Sequence, residues 1–260
     1  MKGRITAVFR GGLLLAFLIA AFLTGSLFGQ ILNTLRGWSD VDHGWSMELE
    51  GAISLSRGNT EHLDLSAGSS IQLIAGGHRV RFLLSETYKT VDGNRTAEDF
   101  KVHLRHNYRL TPVFHTLVFV QDQYNPYQRL ERRSLLGGGL RMDILRDSLC
   151  MMALGGSVML EYVELTDDSL DESGTDTRGS FFVSMIWEPL NGSVVDLSGF
   201  YQPLFPGFDD PLMTAALNIE ASIGLGLSLF TRADISHDSR PPEGVESTDL
   251  TLSSGLRFSL

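Results

Sequence analysis

Six basic side chains recur on alternate positions over two short stretches: Arg79 and Arg81, then Lys101, His103 and Arg105, with Arg109 four residues on. A β-strand has a side-chain period of two, so each set lies on one face. A row of cations like this can line a constriction and select ions. It can also be neutralised by acids across a closed interior. The acids are present: Glu48 and Glu50 share the spacing upstream, and Asp143, Glu161, Asp196 and Asp234 recur later with Arg232 and Arg257. Mixed signs at this density favour mutual neutralisation, which makes a largely charge-filled interior the first reading. A narrow channel for small ions or solutes with a basic wall is the alternative.

Other chemistry has thinner support. His103 and His115 fall on strands and serines are plentiful, but no motif positions a Ser, a His and an acid together. An outer-membrane lipid hydrolase is therefore only a second alternative. His62, His78, His106 and His237 are scattered singly, and Cys150 is the lone cysteine, so neither a metal site nor a disulfide is expected. No cofactor is expected either. The acidic run 166–176 lacks the spacing and closing Glu of a calcium loop, and reads as a solvated outer loop. Gly137-Gly138-Gly139 lies inside a strand without the Lys-Ser/Thr of a phosphate loop; glycine there lets a wall bend or a long side chain cross.

The elements that position these residues are strands throughout. From Trp45 onward apolar and polar residues alternate in segments near the ~9–11 residues of a tilted transmembrane strand. Trp45, Met47, Leu49, Ile53 and Leu55 oppose Ser46, Glu48, Glu50 and Ser54. The last twelve residues end on such a ribbon, with Leu250, Leu252, Leu256, Phe258 and Leu260 on one face and Thr251, Ser253, Arg257 and Ser259 on the other. Free chain ends usually fray, whereas a closed barrel must pair its last strand with its first. About twelve strands are expected, near 45–56, 61–74, 78–89, 99–110, 113–123, 131–144, 149–163, 179–188, 193–203, 212–222, 225–236 and 248–260. In 114–120 and 181–187 both faces are apolar, leaving the phase open.

Connections sort by length. Tight turns are expected at 75–77, 110–112, 146–148, 189–192 and near Gly224; longer polar loops at 91–98, 124–130, 164–177, 204–211 and 237–247. Arg57-Gly58-Asn59-Thr60 is a tight turn on the loop side. Alternation of short and long connections is the habit of outer-membrane barrels. Trp45, Tyr88, Tyr108, Tyr162, Trp187 and Tyr201 fall near strand ends, where interfacial aromatic girdles sit.

The chain has 260 residues, 43% of them hydrophobic, and a net charge of −10. The acidic balance argues against nucleic acid as a partner. Mean hydropathy of +0.03 is too polar for a helical membrane protein and suits a barrel with a polar interior. Lys2, Arg4 and Arg10 precede an apolar run from Leu13 to Leu23, as in an export signal. The expected organisation is a signal peptide at 1–29, a periplasmic lead-in at 30–44 and a barrel at 45–260. A soluble β-barrel or sandwich is the rival class.

Certain residues suggest a family. Ser56-Arg57-Gly58-Asn59-Thr60, closing the first hairpin with a Gly-Asn-Thr turn, the stretch from Asp122 to Arg141 with Arg132, Arg133 and Leu136-Gly137-Gly138-Gly139-Leu140, and the close from Asp238 through Gly244 to Thr248-Asp249 and the final strand resemble the bacterial outer-membrane family of salt-induced proteins, a domain-of-unknown-function family. The resemblance spans about residues 45–260. Tyr124-Asn125 departs from it, and Leu260 replaces the terminal aromatic typical of insertion signals. It implies an outer-membrane barrel and hands over no activity. With the alternation, the expected fold is an all-β, closed, antiparallel, up-and-down transmembrane barrel in the outer membrane of a Gram-negative-type bacterium, and the expected role is structural or envelope-stress. The expected partners are outer-membrane lipid, lipopolysaccharide and the barrel-insertion machinery.

Overall fold

The computed structural model describes residues 43–56, 62–165, 174–241 and 245–260. They form twelve strands: β1 (His43–Ser56), β2 (His62–Ala75), β3 (His78–Val91), β4 (Asn94–Arg109), β5 (Phe114–Asn125), β6 (Leu130–Arg146), β7 (Cys150–Leu165), β8 (Gly174–Trp187), β9 (Ser193–Gln202), β10 (Leu212–Gly224), β11 (Leu227–Asp238) and β12 (Thr248–Ser259). Each pairs antiparallel with its chain neighbours, and β1 pairs with β12 to close the sheet. Closure joins the last strand to the first, as strands in lipid require.

Burial is inverted relative to a soluble protein. Along β4, Lys101, His103, Arg105 and Asn107 are buried, while Phe100, Leu104 and Tyr108 are exposed. The same inversion runs round the sheet: Val118, Val120, Leu136, Leu140, Val158, Leu160, Leu217 and Ile219 point out, and Arg141, Glu161, Asp196 and Asn218 point in. An apolar exterior around a charged interior is the surface of a bilayer-spanning barrel and excludes a soluble sandwich, whose core is apolar. Trp45, Tyr108 and Trp187 are exposed near one end of their strands; Tyr162 and Tyr201 are exposed near the other. Strands reach 17 residues in β6, longer than a bilayer crossing needs, so their far ends project beyond it.

Two expectations need correction. The segment 91–98 is no polar loop: β4 already begins at Asn94, and only Asp92 and Gly93 turn the chain. Both have left-handed backbone, φ 49° and 76°, which is the twist a two-residue hairpin requires. Ala97 and Asp99 face inward, so the alternation extends through residues that composition alone marks as loop. The barrel also starts earlier than expected, since His43 and Gly44 pair with Ala75 and Ile74. The signal segment, most of the lead-in, the turn at 57–60, the acidic stretch 166–173 and Pro242-Glu243-Gly244 lie outside the described residues.

The seam between β1 and β12 is short. It runs from Glu48↔Ser259 to Gly51↔Leu256, whereas β1 pairs with β2 along its whole length. At the short-turn end, Met47 and Leu260 exchange backbone hydrogen bonds of 3.1 and 2.9 Å.

At that same end, the β6–β7 turn is held by Asp147, whose carboxylate accepts from the Leu149 and Cys150 amides at 2.8 and 2.7 Å. These two donors hold its pKa below the ordinary carboxylate value. A depressed pKa contributes stability that is present at neutral pH and lost as pH falls through the folded value. Protection of the Leu149 and Cys150 amides, measured as exchange relative to the intrinsic rate at each pH, is therefore expected to fall in acid, and Asp147→Ala to remove that pH dependence.

Candidate functional site

The lumen divides into three levels. Nearest the short turns, Asp143 on β6 gathers cations: Arg141 donates to it at 2.8 Å, His115 on β5 lies 3.3 Å away, and Arg146 lies at 3.9 Å. Arg79 projects into the same level from β3. Across the lumen Arg257 on β12 bridges Glu50 on β1, at 2.6 Å, and Glu220 on β10, with its guanidinium 4.9 Å from the Phe230 ring. Asn218 donates to Asp196 at 2.8 Å beside them. In a water-filled pore such side chains would be wet. Arg141 is 1% exposed, His115 2% and Arg257 3%, so these side chains are packed away from solvent.

The middle level is partly apolar. Leu117 and Phe119 on β5, Leu135 on β6, Met159 on β7 and Phe182 on β8 form one cluster, with Phe200 packed against it. The structure thereby resolves the phase of both doubly apolar stretches: Leu117, Phe119 and Phe182 turn inward and Val118, Val120 and Phe181 outward. Glycines make room for the rings. Gly137 stands opposite Phe119 in register, and a Cβ there would come 2.4 Å from that ring. Gly155 stands opposite Phe182, with the clash at 2.1 Å. Gly137-Gly138-Gly139 therefore serves close approach, since a Cβ on Gly139 would also meet the Gly156 carbonyl at 2.1 Å.

Facing this apolar wall are β3 and β4. Arg81 donates to Ser70 at 3.1 Å. Arg105, its register partner, lies with its guanidinium 5.7 Å from the Phe119 ring centre. His103 meets Gln121 through Nδ1 at 3.1 Å and stacks on Phe119. The outer level is a second ionic knot: Glu161 receives Arg133 at 2.6 Å and Arg178, while Arg178 also reaches Asp210 at 3.1 Å. Asp99 accepts from Asn125 at 3.1 Å, next to Lys101 on the same strand face.

A cavity of about 480 Å³ opens between the middle and outer levels, its lining running from Arg105, Leu117 and Phe119 out to Arg240 and Glu246 on the β11–β12 loop. This cavity lies toward the loops, and the tightly packed charges of the first level lie toward the short turns.

Among the residues picked out by spacing, the structure places Arg79, Arg81, Lys101, His103 and Arg105 in one wall and Glu50 against Arg257. Glu48 is half-buried at the seam opposite Ser259. Arg109 stands exposed at the last position of β4, on the same strand face as Arg105 and opposite His115 in register, with its amide bonded to the Gly77 carbonyl at 2.9 Å. In the closing strand Leu250, Leu256, Phe258 and Leu260 are exposed on the outer face, with Leu252 half-buried. Of the other histidines, His78 and His106 stack on each other, 3.0 Å apart. Spacing missed the apolar cluster, because it assigns every apolar residue to lipid. The usable signal is a doubly apolar stretch with a glycine at the matching inward position of its neighbour.

Several solved barrels resemble this one. The NanC porin is 10% identical, with 82% of this chain and 97% of that chain covered and a TM-score of 0.48. The translocator domain of the autotransporter NalP from Neisseria meningitidis is 9% identical over 86% and 91%, at 0.47. The KdgM porin in complex with disordered oligogalacturonate is 9% identical over 84% and 99%, at 0.43. No curated protein matches the chain. A family match does cover most of it, over residues 49–260, and the chain therefore belongs to DUF481, a family described as proteins of unknown function.

Proposed function

We propose that this protein is an outer-membrane barrel with a plugged lumen, serving a structural or envelope-stress role and not free permeation. One observation carries the reading: the charges at the short-turn level are packed away from solvent, with Arg141 at 1% exposure. Charged side chains lining an aqueous channel stay hydrated, because desolvating them costs several kcal/mol per ion unless they are paired. Here they are paired, by Asp143 and by the Glu50–Arg257–Glu220 bridge. Export through the segment 1–29, insertion by the barrel-assembly machinery through the closing strand, and contact with lipid and lipopolysaccharide belong to the same proposal.

A second reading, a narrow gated channel, draws on the cavity. It lies toward the loops, so the packed charges of the short-turn level would be the gate. A hydrolase fits less well, since the His103 imidazole meets Gln121 and Phe119, and among the described residues no serine hydroxyl hydrogen-bonds to it. Planar-bilayer recording of the purified full chain, folded by the criterion that unheated and heated samples migrate differently, decides between plug and channel. Silence at all moderate voltages is expected. Discrete, salt-dependent steps in the unaltered protein would overturn the plug.

A further inference from the structure

Arg105 is the odd charge in the lumen. It is 9% exposed, and among the described residues no carboxylate pairs with it. The charged groups that face it are Arg81, opposite in register on β3, and Arg141, both of its own sign. Its Nε has no hydrogen-bond partner, and neither does Nε2 of His103, which is 3% exposed. A guanidinium offers five donors, and leaving it buried without a carboxylate partner is strongly unfavourable. The neighbouring ions do not behave this way: Arg141 has Asp143, Arg133 and Arg178 have Glu161, and Arg257 has Glu50 and Glu220.

Both groups line the cavity of about 480 Å³, a volume suited to a small organic molecule. The other wall of that cavity is Leu117, Phe119, Leu135, Phe182 and Phe200. An inorganic anion would satisfy the guanidinium and make no contact with the apolar wall. A plain hydrocarbon would cover the rings and leave the cation bare. The mouth carries Asp238, Glu246 and Asp249 against one cation, Arg240, which also reaches Asp209 at 3.5 Å, and this acidic balance disfavours ligands with several negative charges.

We infer that the outer half of the lumen is a binding site for a small amphipathic monoanion, a carboxylate with an aliphatic or aromatic body. Arg105 and His103 receive the head group, and the cluster around Phe119 and Phe182 covers the tail. The inference goes beyond the plugged-lumen reading and stands apart from it: a ligand can occupy the cavity whether or not the short-turn level conducts. A conducting barrel would sink the plug and leave this site untouched.

The test is titration calorimetry on the full chain in nanodiscs of zwitterionic lipid, with empty nanodiscs subtracted. The probes are acetate, hexanoate and octanoate, with octanol as the uncharged control. A saturable one-to-one site is expected, tightening about three- to fourfold per added methylene. Arg105→Gln is expected to weaken octanoate about tenfold or more, as loss of a charge-assisted bond does, and to leave octanol unchanged. Arg132→Gln, on the outer face of β6, serves as the control for charge removal. Equal octanoate affinity in Arg105→Gln, affinity independent of tail length, or no binding above empty nanodiscs would each overturn the site. If Arg105→Gln fails to fold, the chain-length series and the octanol comparison on the unaltered protein still decide.

Discussion

Glu161→Ala is expected to destabilise the barrel by about 3–5 kcal/mol, the cost of leaving buried charge without its partner. Glu161 stands between two arginines from neighbouring strands, Arg133 on β6 and Arg178 on β8. Removing it strips Arg133 of its acid and returns Arg178 to Asp210 alone. The knot ties three strands at the level where the barrel leaves the bilayer, so its loss is felt across β6, β7 and β8. Equilibrium urea unfolding in lipid vesicles measures it. The double variant Glu161→Leu with Arg133→Met is expected to recover most of the loss, because an apolar pair of similar volume avoids desolvation altogether. If Glu161→Ala costs under about 1 kcal/mol, the range of exposed pairs, water reaches this knot and the lumen is wetter than its burial implies.

The second large effect is on conduction. Arg141→Ala combined with Asp143→Ala removes the centre of the short-turn level: the most buried long side chain in the lumen and the acid that gathers Arg146 and His115 around it. What remains is two methyl groups side by side on β6 where a buried ion pair filled the lumen, flanked by the like charges of Arg79 and Arg146. Those cations should repel one another and draw in water. The expected result is a change from a silent barrel to a conducting one, about tenfold or more above background, with anions preferred because the remaining ring is basic. Asp143→Asn alone keeps the shape and weakens the pairing, so it should flicker where the double variant stays open. A double variant that folds and remains silent would mean that the Arg257 bridge, or the apolar cluster above, seals the lumen unaided. Arg257→Met would then be the next variant to record.

The strands were legible because period-two alternation is a direct image of a two-faced sheet, and the ring closes where the last alternating segment ends. The hidden features share one cause. Where both faces of a segment are apolar the alternation carries no phase, so Phe119 and Phe182 could not be assigned to the interior until their glycine partners on β6 and β7 were in register. Where turn residues cluster, as from Asp92 to Glu98, polarity mimics a loop although Ala97 and Asp99 belong to a strand face. The rows of like and unlike charge were visible, yet their pairing was not. Arg257 and Glu50 stand 207 residues apart and meet only because the sheet is a cylinder. Arg105 was visible only as one member of a basic row. Its lack of an acid partner is a property of the finished circumference, not of any segment.

The seam has a consequence for how the chain may be cut. His43 and Leu260 lie at the same end of the cylinder, and Met47 and Leu260 already exchange backbone bonds. A ring has no intrinsic first member, so the order β1 to β12 is a convention of synthesis that the finished wall does not record. Joining Leu260 to His43 through a short linker and opening the chain between Gly76 and Gly77 yields a circular permutant with every hydrogen-bonded neighbour preserved. Its final strand is then β2, whose outward side chains include Leu65, Ile71 and Leu73. Such a permutant separates two properties that the natural order fuses: the wall's own stability, and the strand that a cell's assembly apparatus reads first.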